Sequence, residues 1–383
     1  MKVDLLVQGG RVIDPSQSLN GLYDLAIREG RVVGLYENRK VGEKQSLPCP
    51  IEAKETFNAE GCLVTPGLID LHAHVFPTQT FLGVAADRVG VEQGVTTVVD
   101  AGSTGIWAFD AFLEEAVRPS VTRILAFLNI SGDGLCKGGG ELGDMSRLTP
   151  REAAALIREQ PLLRGIKARM SSSVVKQNGI RPLHVAKEAA REAGVPMMVH
   201  IGNAPPRLAE VLALLDRGDV VTHAFHGKAG GMFDEGGELI VEAQDALDRG
   251  VLLDIGHGES SFSFRTLRLA QAKGIVPHVI STDVHRRNLD GPVHSLTHTL
   301  TKFLANGYPL EAIVAACTSA PARILGMENE IGTLKPGASA DVTILQLRKE
   351  PTRLTDCEKE TIETSERLVA HQVITSGKVL TCK

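Results

Sequence analysis

The sequence lacks paired cysteines, long apolar runs and a large excess of either charge. Its six cysteines are scattered over 383 residues without CxxC spacing, which is typical of isolated reduced thiols rather than of a disulfide framework. No apolar run approaches the ~20 residues that span a membrane, and residues 1–7 lack the apolar core of a signal peptide. We therefore expect a cytoplasmic protein without a membrane partner.

The charge pattern excludes a second class of partner. The formal net charge is -5 with both signs interspersed, so no basic stripe of the kind that binds nucleic acid is present. The length allows one large barrel with additions or two medium domains. We expect a small-molecule substrate as the partner, and the sequence leaves a homo-oligomer open.

Both ends of the chain are rich in predicted β-strands. Residues 1–60 contain short apolar runs separated by tight turns, and the polar stretch 38–55 is expected to be a loop or an irregular edge. Residues 328–383 return to turns and strands. The two ends are expected to pair into one small β-sandwich domain, so that residues 61–327 form a domain inserted between them.

The inserted region alternates strands with helical patterns, which predicts a parallel sheet with crossover helices. Helices are expected at 151–159, 182–193, 264–272 and 310–325. Eight strands are expected at 63–72, 96–101, 123–130, 165–170, 196–201, 220–224, 251–255 and 277–282. The predicted fold class is therefore α/β, a (β/α)8 TIM barrel; an open doubly wound sheet would not explain why residues suited to one site recur at so many strand ends.

Residues that can bind a metal stand at the ends of these strands. His72 and His74 are one residue apart, and strand alternation turns both imidazoles to one face. The others, in chain order, are Lys167, His200, His223, His257 and Asp283. Each alone has an ordinary explanation, such as loop capping or a snorkelling lysine. Together, at the face where barrel active sites are built, they predict a metal site.

The set resembles the metal ligands of the amidohydrolase superfamily. The resemblance spans nearly the whole chain and rests on His72-Ala73-His74 after Pro66-Gly67-Leu68-Ile69-Asp70, on Lys167, His200, His223 and Asp283, and on the tail segments 318–323 and 332–341. It implies a hydrolase with two divalent metal ions, commonly zinc. His72, His74 and Asp283 would hold the more buried metal, and His200 and His223 the more exposed one.

The same resemblance assigns roles to Lys167 and Asp283. Lys167, carboxylated on its ε-nitrogen by carbon dioxide, would bridge both metals, because a carbamate is an anion with two oxygens whereas an ammonium cannot ligate. Forming it requires a neutral amine, so the pKa of Lys167 must fall from about 10.4. A metal-bridging hydroxide would be the nucleophile, and Asp283 would take its proton and deliver it to the leaving group. An ordinary ion-pairing lysine is the alternative.

The loops indicate a branch of the superfamily. One-metal deaminases need a glutamate beside the strand-five histidine, whereas here His200-Ile201 is followed by Gly202-Asn203. Dihydroorotases usually carry Arg two residues after the histidine pair, and this chain has Phe76 at that position. The segments 223–227, 254–258 and 281–285 look most like a dihydroorotase-like and deacetylase-like branch. That resemblance implies cleavage of an acyl group, with acetyl as the main candidate, from a small carboxylate-bearing amide or ester. A ring-opening cyclic amidase and a catalytically inactive scaffold are the alternatives.

Four further residues are candidates for substrate contacts. Arg169 faces the same side as Lys167 and could hold a substrate carboxylate, although pairing with a barrel-interior acid such as Asp100 would explain it at least as well. His257 is expected either to contact the substrate or to cap its loop. Ser103 and Asn203 follow strands two and five, and residues of their type are common in any loop. Glycine-rich loops at 137–140 and 227–237 are expected to be lids or plain surface loops.

Overall fold

The structure is a computed structural model that describes residues 1–37 and 51–383. Five strands come first: β1 (Lys2–Asp14), β2 (Leu19–Arg28), β3 (Arg31–Glu37), β4 (Glu52–Asn58) and β5 (Leu63–Pro66). β2 is antiparallel to β1, whereas β4 and β5 are parallel to it. A loop or irregular edge is expected at 38–55. Its first part, residues 38–50 with Cys49, lies outside the described residues. For the part that the structure describes the prediction is wrong, because β4 begins at Glu52.

Seven parallel strands form the barrel sheet, each paired with the next in chain order: β6 (Leu68–Ala73), β7 (Val95–Ala101), β8 (Arg123–Asn129), β9 (Leu163–Met170), β10 (Met197–Ile201), β11 (Val220–Thr222) and β12 (Leu252–Asp254). The ladder between β6 and β7 shifts register between Asp70 and Ala73. Such a shift re-aims side chains at the end of a strand. It lies directly beside the first predicted metal ligand, His72.

The barrel closes through a segment that forms no regular strand. Val279 bridges Asp254 and Val284 bridges Ala73, both in the parallel sense, so the chain between them joins the last strand to the first. The eighth strand expected at 277–282 is therefore reduced to single bridges. The reason is a tertiary contact, because the Thr282 backbone N–H donates to the Asp70 side chain at 3.0 Å instead of entering a ladder.

Helices surround the barrel: α1 (Ala86–Val89), α2 (Phe109–Phe112), α3 (Pro150–Glu159), α4 (Ser172–Val175), α5 (Arg181–Ala193), α6 (Leu208–Leu212), α7 (Val241–Arg249), α8 (Phe264–Ala272), α9 (Leu296–Ala305), α10 (Leu310–Ala316) and α11 (Ser319–Ile324). The helices expected at 151–159, 182–193 and 264–272 are confirmed. The one expected at 310–325 is two helices, because the backbone at Thr318 leaves the helical region (φ -135°, ψ -86°). Among the described residues, no helix is long and apolar enough to cross a membrane.

The C-terminal strands are β13 (Val342–Thr355), β14 (Thr361–Thr375) and β15 (Lys378–Thr381). β13 pairs antiparallel with β5, which joins the two chain ends in one eight-stranded sheet. Leu25, Val64 and Ile344 are among the residues of its apolar core. The prediction of a (β/α)8 barrel with a β domain made from both chain ends is thus confirmed.

One glycine separates the two sheets. The strand expected at 63–72 is two strands, β5 in the terminal sheet and β6 in the barrel, with Gly67 between them. The Gly67 N–H donates to the Asp341 carbonyl at 2.7 Å, and a Cβ at this position would lie 2.1 Å from Thr96 Oγ1. The close approach requires glycine, and the terminal sheet consequently extends to Pro66, beyond the boundary expected at residue 60.

The tip of the long β13–β14 hairpin reaches the top of the barrel. Asp356 accepts a hydrogen bond from the Phe264 backbone N–H at 2.8 Å, and Cys357 N–H donates to the Phe262 carbonyl at 3.1 Å. Ser263 Oγ donates to Glu358 at 2.6 Å. The hairpin therefore fixes the loop that follows β12, at the same end of the barrel as the predicted metal ligands.

Candidate metal centre

Titratable side chains converge at the carboxyl ends of the barrel strands. His72, His74, Lys167, His200 and Asp283 line one cavity of about 200 Å³. A larger cavity, about 720 Å³, lies among the opposite strand ends, and none of the predicted metal ligands lines it. Chemistry rather than volume decides between the two, and we place the candidate site in the smaller one.

Asp283 is the point on which three imidazoles converge. Its Oδ1 lies 3.2 Å from His74 Nε2 and 3.4 Å from His72 Nε2, and its Oδ2 lies 4.0 Å from His223 Nε2. The ligand atoms of His72, His223 and Asp283 all lie within 4.8 Å of one another. Burial alone would raise the pKa of Asp283, but the facing imidazoles, His72 foremost, hold it well below its ordinary value. The carboxylate is therefore ionised at neutral pH.

The other ring nitrogen of each imidazole is held from behind. His72 Nδ1 lies 2.8 Å from Thr222 Oγ1, whose hydroxyl donates to Asp254 Oδ2 at 2.6 Å. Because that hydroxyl proton is committed to Asp254, the oxygen accepts from His72 Nδ1–H and leaves the Nε2 lone pair free. Ser103 Oγ lies 2.9 Å from His74 Nδ1. Outer partners of this kind fix the tautomer of metal-binding histidines.

His223 has the clearest sign of a missing partner. Its Nδ1 donates to the Gly256 carbonyl at 2.5 Å, while its Nε2 is buried without any hydrogen-bond partner. Two residues of the site also have strained backbones, since φ is +68° at His223 and +48° at Asp283. Non-glycine residues adopt this left-handed conformation mainly where the surrounding structure imposes it, and often at functional sites.

Lys167 is fully buried among these groups. Its Nζ lies 3.3 Å from His72 Nε2 and 3.2 Å from Met198 Sδ. Burial lowers the pKa of Lys167 to about 7, so the neutral amine is accessible at physiological pH. The neighbouring Gly102 leaves it room, because a Cβ there would lie 2.8 Å from the Lys167 side chain.

His200 completes the set. Its ring packs edge-on against His223 with the centroids 4.3 Å apart. Burial lowers the pKa of His200 and of His72 well below 6.5, and that of His223 to about 3, so all three imidazoles are neutral. Neutral imidazoles with a free nitrogen and one ionised carboxylate are the donor set that Zn²⁺ and similar ions prefer. The residues present therefore fit divalent metal ions.

The profile of the amidohydrolase family matches residues 63–380, which covers the barrel and most of the C-terminal strands. The chain belongs to the amidohydrolase family. It is 37% identical to a protein from Enterococcus faecalis named a deacetylase, over 99% of both chains. Two solved structures superpose over 99% of this chain: one described as an adenine deaminase (35% identity, TM-score 0.91, 100% of that chain) and one described as a dihydroorotase (30%, 0.86, 98%). This amidohydrolase is thus a hydrolase, and the proteins similar to it are named for different activities.

Of the four residues expected to contact substrate in this amidohydrolase, Arg169 lines the cavity, whereas Ser103, Asn203 and His257 are absent from its lining. Arg169 pairs with Glu141 at 3.3 Å and not with Asp100. Ser103 holds His74, and Asn203 is exposed on a loop outside the cavity lining. Loop sequence alone did not show these partners, because each bond depends on tertiary packing.

His257 also points away from the cavity. Its buried ring packs against Phe262, with centroids 4.7 Å apart, and its Nε2 lies 2.7 Å from Lys302 Nζ. The explanation that His257 caps its loop agrees with its Nδ1, which donates to the Gly258 carbonyl at 3.0 Å, but the buried lysine at the other ring nitrogen was not anticipated. The lysine is 45 residues further along the chain, on α9, and no local sequence signal indicated the pair.

Sequence reasoning missed other residues that line the cavity. Phe81 and Leu82 come from the loop after β6, Lys228 from the loop after β11, and His285 follows Asp283 by two residues. His285 follows the expected strand by three residues and a left-handed backbone at Asp283 lies between them, so strand alternation could not place it. The loop residues had no sequence signal, because their positions depend on how each loop folds back over the barrel.

Proposed function

We propose that this amidohydrolase is a binuclear metal-dependent hydrolase that removes an acyl group from a small carboxylate-bearing amide or ester. Acetyl is the acyl group that we propose. The observation that carries the proposal is Lys167, fully buried with its Nζ 3.3 Å from His72 Nε2. A lysine in that position suits a bridging carbamate. The Enterococcus faecalis relative, named a deacetylase and similar over its whole length, supports the acyl substrate.

We assign His72, His74 and Asp283 to one metal ion and His200 and His223 to the other, with zinc as the expected metal. Lys167 would bridge them once its neutral amine has added carbon dioxide, and its lowered pKa favours that reaction. When bound, the two ions would supply a nucleophile from water at neutral pH and polarise the substrate carbonyl. Thr222 and the Gly256 carbonyl keep the tautomers of His72 and His223 suited to this role, and Ser103 holds the ring of His74 in place.

Asp283 is the proposed general base and acid. Its carboxylate is ionised and lies at the centre of the imidazoles, so it can take the proton of the attacking water and return it to the leaving nitrogen or oxygen. The left-handed backbone at Asp283 holds the carboxylate in this place.

Ring opening of a cyclic amide is the second candidate, because a structure described as a dihydroorotase is 30% identical over nearly the full length of both chains. The sequence argues against it, since Phe76 stands where dihydroorotases usually carry Arg, and the side chain is buried. Deamination, the activity for which the other similar structure is named, is disfavoured by Lys167 and by the absence of a carboxylate in the Gly202-Asn203 loop.

The test combines metal analysis with a substrate panel. Purified protein should hold close to two divalent ions per chain, and one or none would contradict the two-metal site. N-acetyl and O-acetyl derivatives of amino and hydroxy acids, of both configurations, should be hydrolysed faster than dihydroorotate or hydantoins. Lys167→Ala should abolish turnover, with partial rescue by short-chain carboxylic acids; a Lys167→Ala protein with full activity would remove the proposed bridge.

A further inference from the structure

The cations of the candidate site differ in whether they are neutralised. Apart from Lys167, three cationic side chains line the cavity: Arg169, Lys228 and Arg287. Arg169 is paired with Glu141 at 3.3 Å and Arg287 with Glu259 at 2.5 Å. Lys228 Nζ has only the hydroxyl of Ser260, at 3.2 Å. Within residues 1–37 and 51–383, no carboxylate lies within 4.0 Å of it.

The loop that carries Lys228 is held firmly. The Lys228 N–H donates to His226 Nδ1 at 3.1 Å, and the residue between them, Gly227, packs so closely that a Cβ would lie 2.1 Å from Glu358 Oε1. Glu358 belongs to the tip of the β13–β14 hairpin, which is itself anchored on the barrel. The ammonium group is therefore presented to the cavity from a fixed backbone, with the Ser260 hydroxyl at 3.2 Å as its one side-chain partner among the described residues.

Lys228 is partly buried at the cavity, and this burial lowers the pKa of its own amine. An unpaired cation in a partly buried position loses hydration without gaining a counter-charge. A ligand that brings an anion into this cavity would recover that loss.

The cavity also has an apolar side. Phe81, whose exposed fraction is 46%, and Leu82 line it together with the cations. A molecule that fits would carry a carboxylate for the one unneutralised cation and an apolar group for these side chains, with the scissile acyl group near Asp283. An acylated hydroxy or amino acid with an apolar substituent has this arrangement.

We propose that Lys228 binds the carboxylate of the substrate and makes the enzyme selective for acylated hydroxy or amino acids over their uncharged analogues. The inference rests on the proposed acyl hydrolysis and assigns a specificity-determining residue to it. Arg169, for which the sequence left a substrate carboxylate and an acidic partner open, lines the same cavity but already has Glu141 as an ion-pair partner, whereas Lys228 has none among the described residues.

The kinetic test uses matched substrates and matched lysines. An O-acetyl hydroxy acid and its primary amide differ only in the negative charge. Lys228→Met should raise KM for the acid about 10- to 100-fold, the usual effect of losing a charge-assisted hydrogen bond, with kcat nearly unchanged and little effect on the amide. Lys335→Met, at an exposed lysine of the turn before β13, should change neither substrate. Equal effects of Lys228→Met on acid and amide would overturn the proposal.

A binding measurement separates this inference from the proposed function. Calorimetric titration of the metal-loaded wild-type protein with lactate, and with lactamide as the uncharged control, needs no turnover. Lys228→Met should weaken lactate binding about 10- to 100-fold and leave lactamide unchanged. Unchanged lactate affinity would refute the role of Lys228 even if acyl hydrolysis is found. If Lys228→Met weakens lactate binding while the wild-type protein hydrolyses no acyl substrate, the proposed reaction is refuted and the anion site is retained.

Discussion

Replacing Thr222 by Val should weaken metal binding without reshaping the barrel. The Thr222 hydroxyl connects His72 Nδ1, at 2.8 Å, to Asp254 Oδ2, at 2.6 Å, and all three side chains are buried. Valine has nearly the same shape but no oxygen. His72 would then keep its position while losing the acceptor that fixes the proton on Nδ1.

The expected size follows from these contacts. Asp254 retains Ser281 Oγ at 2.8 Å, so the main loss falls on the buried His72 Nδ1–H. An unsatisfied buried donor costs about 1–3 kcal/mol, and loss of an outer-shell partner typically lowers metal affinity about 10- to 100-fold. We therefore expect Thr222→Val to lose about 1.4–2.7 kcal/mol of metal-binding free energy.

Competition with a chromophoric chelator measures this affinity, and metal content after dialysis provides a second reading. Thr97→Val is the matched control, because Thr97 is fully buried on β7, the strand next to the one that carries His72, and its Oγ1 has no hydrogen-bond partner among the described residues. The control should bind metal like the wild type, and excess metal should restore the activity of Thr222→Val. Unchanged affinity in Thr222→Val, or an equal loss in Thr97→Val, would refute this account of His72.

Two further predictions concern the loop after β12 and its anchor. Gly258→Ala should reduce kcat about 10-fold or more, since φ is +59° and the new Cβ would lie 2.7 Å from Asp283 Oδ2. Gly274→Ala is the control and should affect only stability, because φ is +71° there but nothing lies within 4 Å of the new Cβ. Equal kcat values for the two variants would contradict the prediction. Burial lowers the pKa of Lys302 to about 7, so unfolding takes up a proton between pH 7 and about 10.5 and stability rises with pH there. Between pH 7 and 9 the free energy of unfolding of the wild type, measured by chemical denaturation, should rise by about 2 kcal/mol relative to that of Lys302→Met. Parallel curves of unfolding free energy against pH for the two proteins would contradict this.

Periodicity and strand order were enough to predict the barrel and the grouping of the site residues. Parallel strands bring their carboxyl ends to one edge, so His72, Lys167 and His223 had to lie near one another once the strand count was right. The helices α3, α5 and α8 were equally predictable from their apolar faces, and α5 and α8 also from Gly194 and Gly274 at their C-terminal ends. These features depend on local pattern and on one topological rule.

Features set by tertiary contacts were not predictable. The eighth strand is reduced to bridges because Thr282 bonds to Asp70, more than 200 residues away in sequence. The β13–β14 hairpin extends far beyond the expected strand because its charged outer part continues the ladder with little apolar signal. Arg169 was correctly expected to face the site, but its neutralisation by Glu141 depends on a loop whose path no spacing rule gives.

The β domain takes part in building the site through Lys302. This buried lysine donates to the Thr355 carbonyl at the end of β13 (2.7 Å), to the Pro292 carbonyl (2.8 Å) and to His257 Nε2 (2.7 Å). Because His257 Nδ1–H donates to the Gly258 carbonyl at 3.0 Å, Nε2 must accept, and all three protons of an ammonium group are used.

The residue before His257 connects this anchor to the candidate metal centre. The Gly256 carbonyl accepts from His223 Nδ1, and a Cβ at Gly256 would lie 2.9 Å from that nitrogen, so the loop and the imidazole fit each other closely. Displacing the loop would therefore move the acceptor that fixes the His223 tautomer. The C-terminal hairpin, Lys302 and His257 together hold that acceptor in place, which gives the β domain a role in metal binding although none of the predicted ligands lies within it.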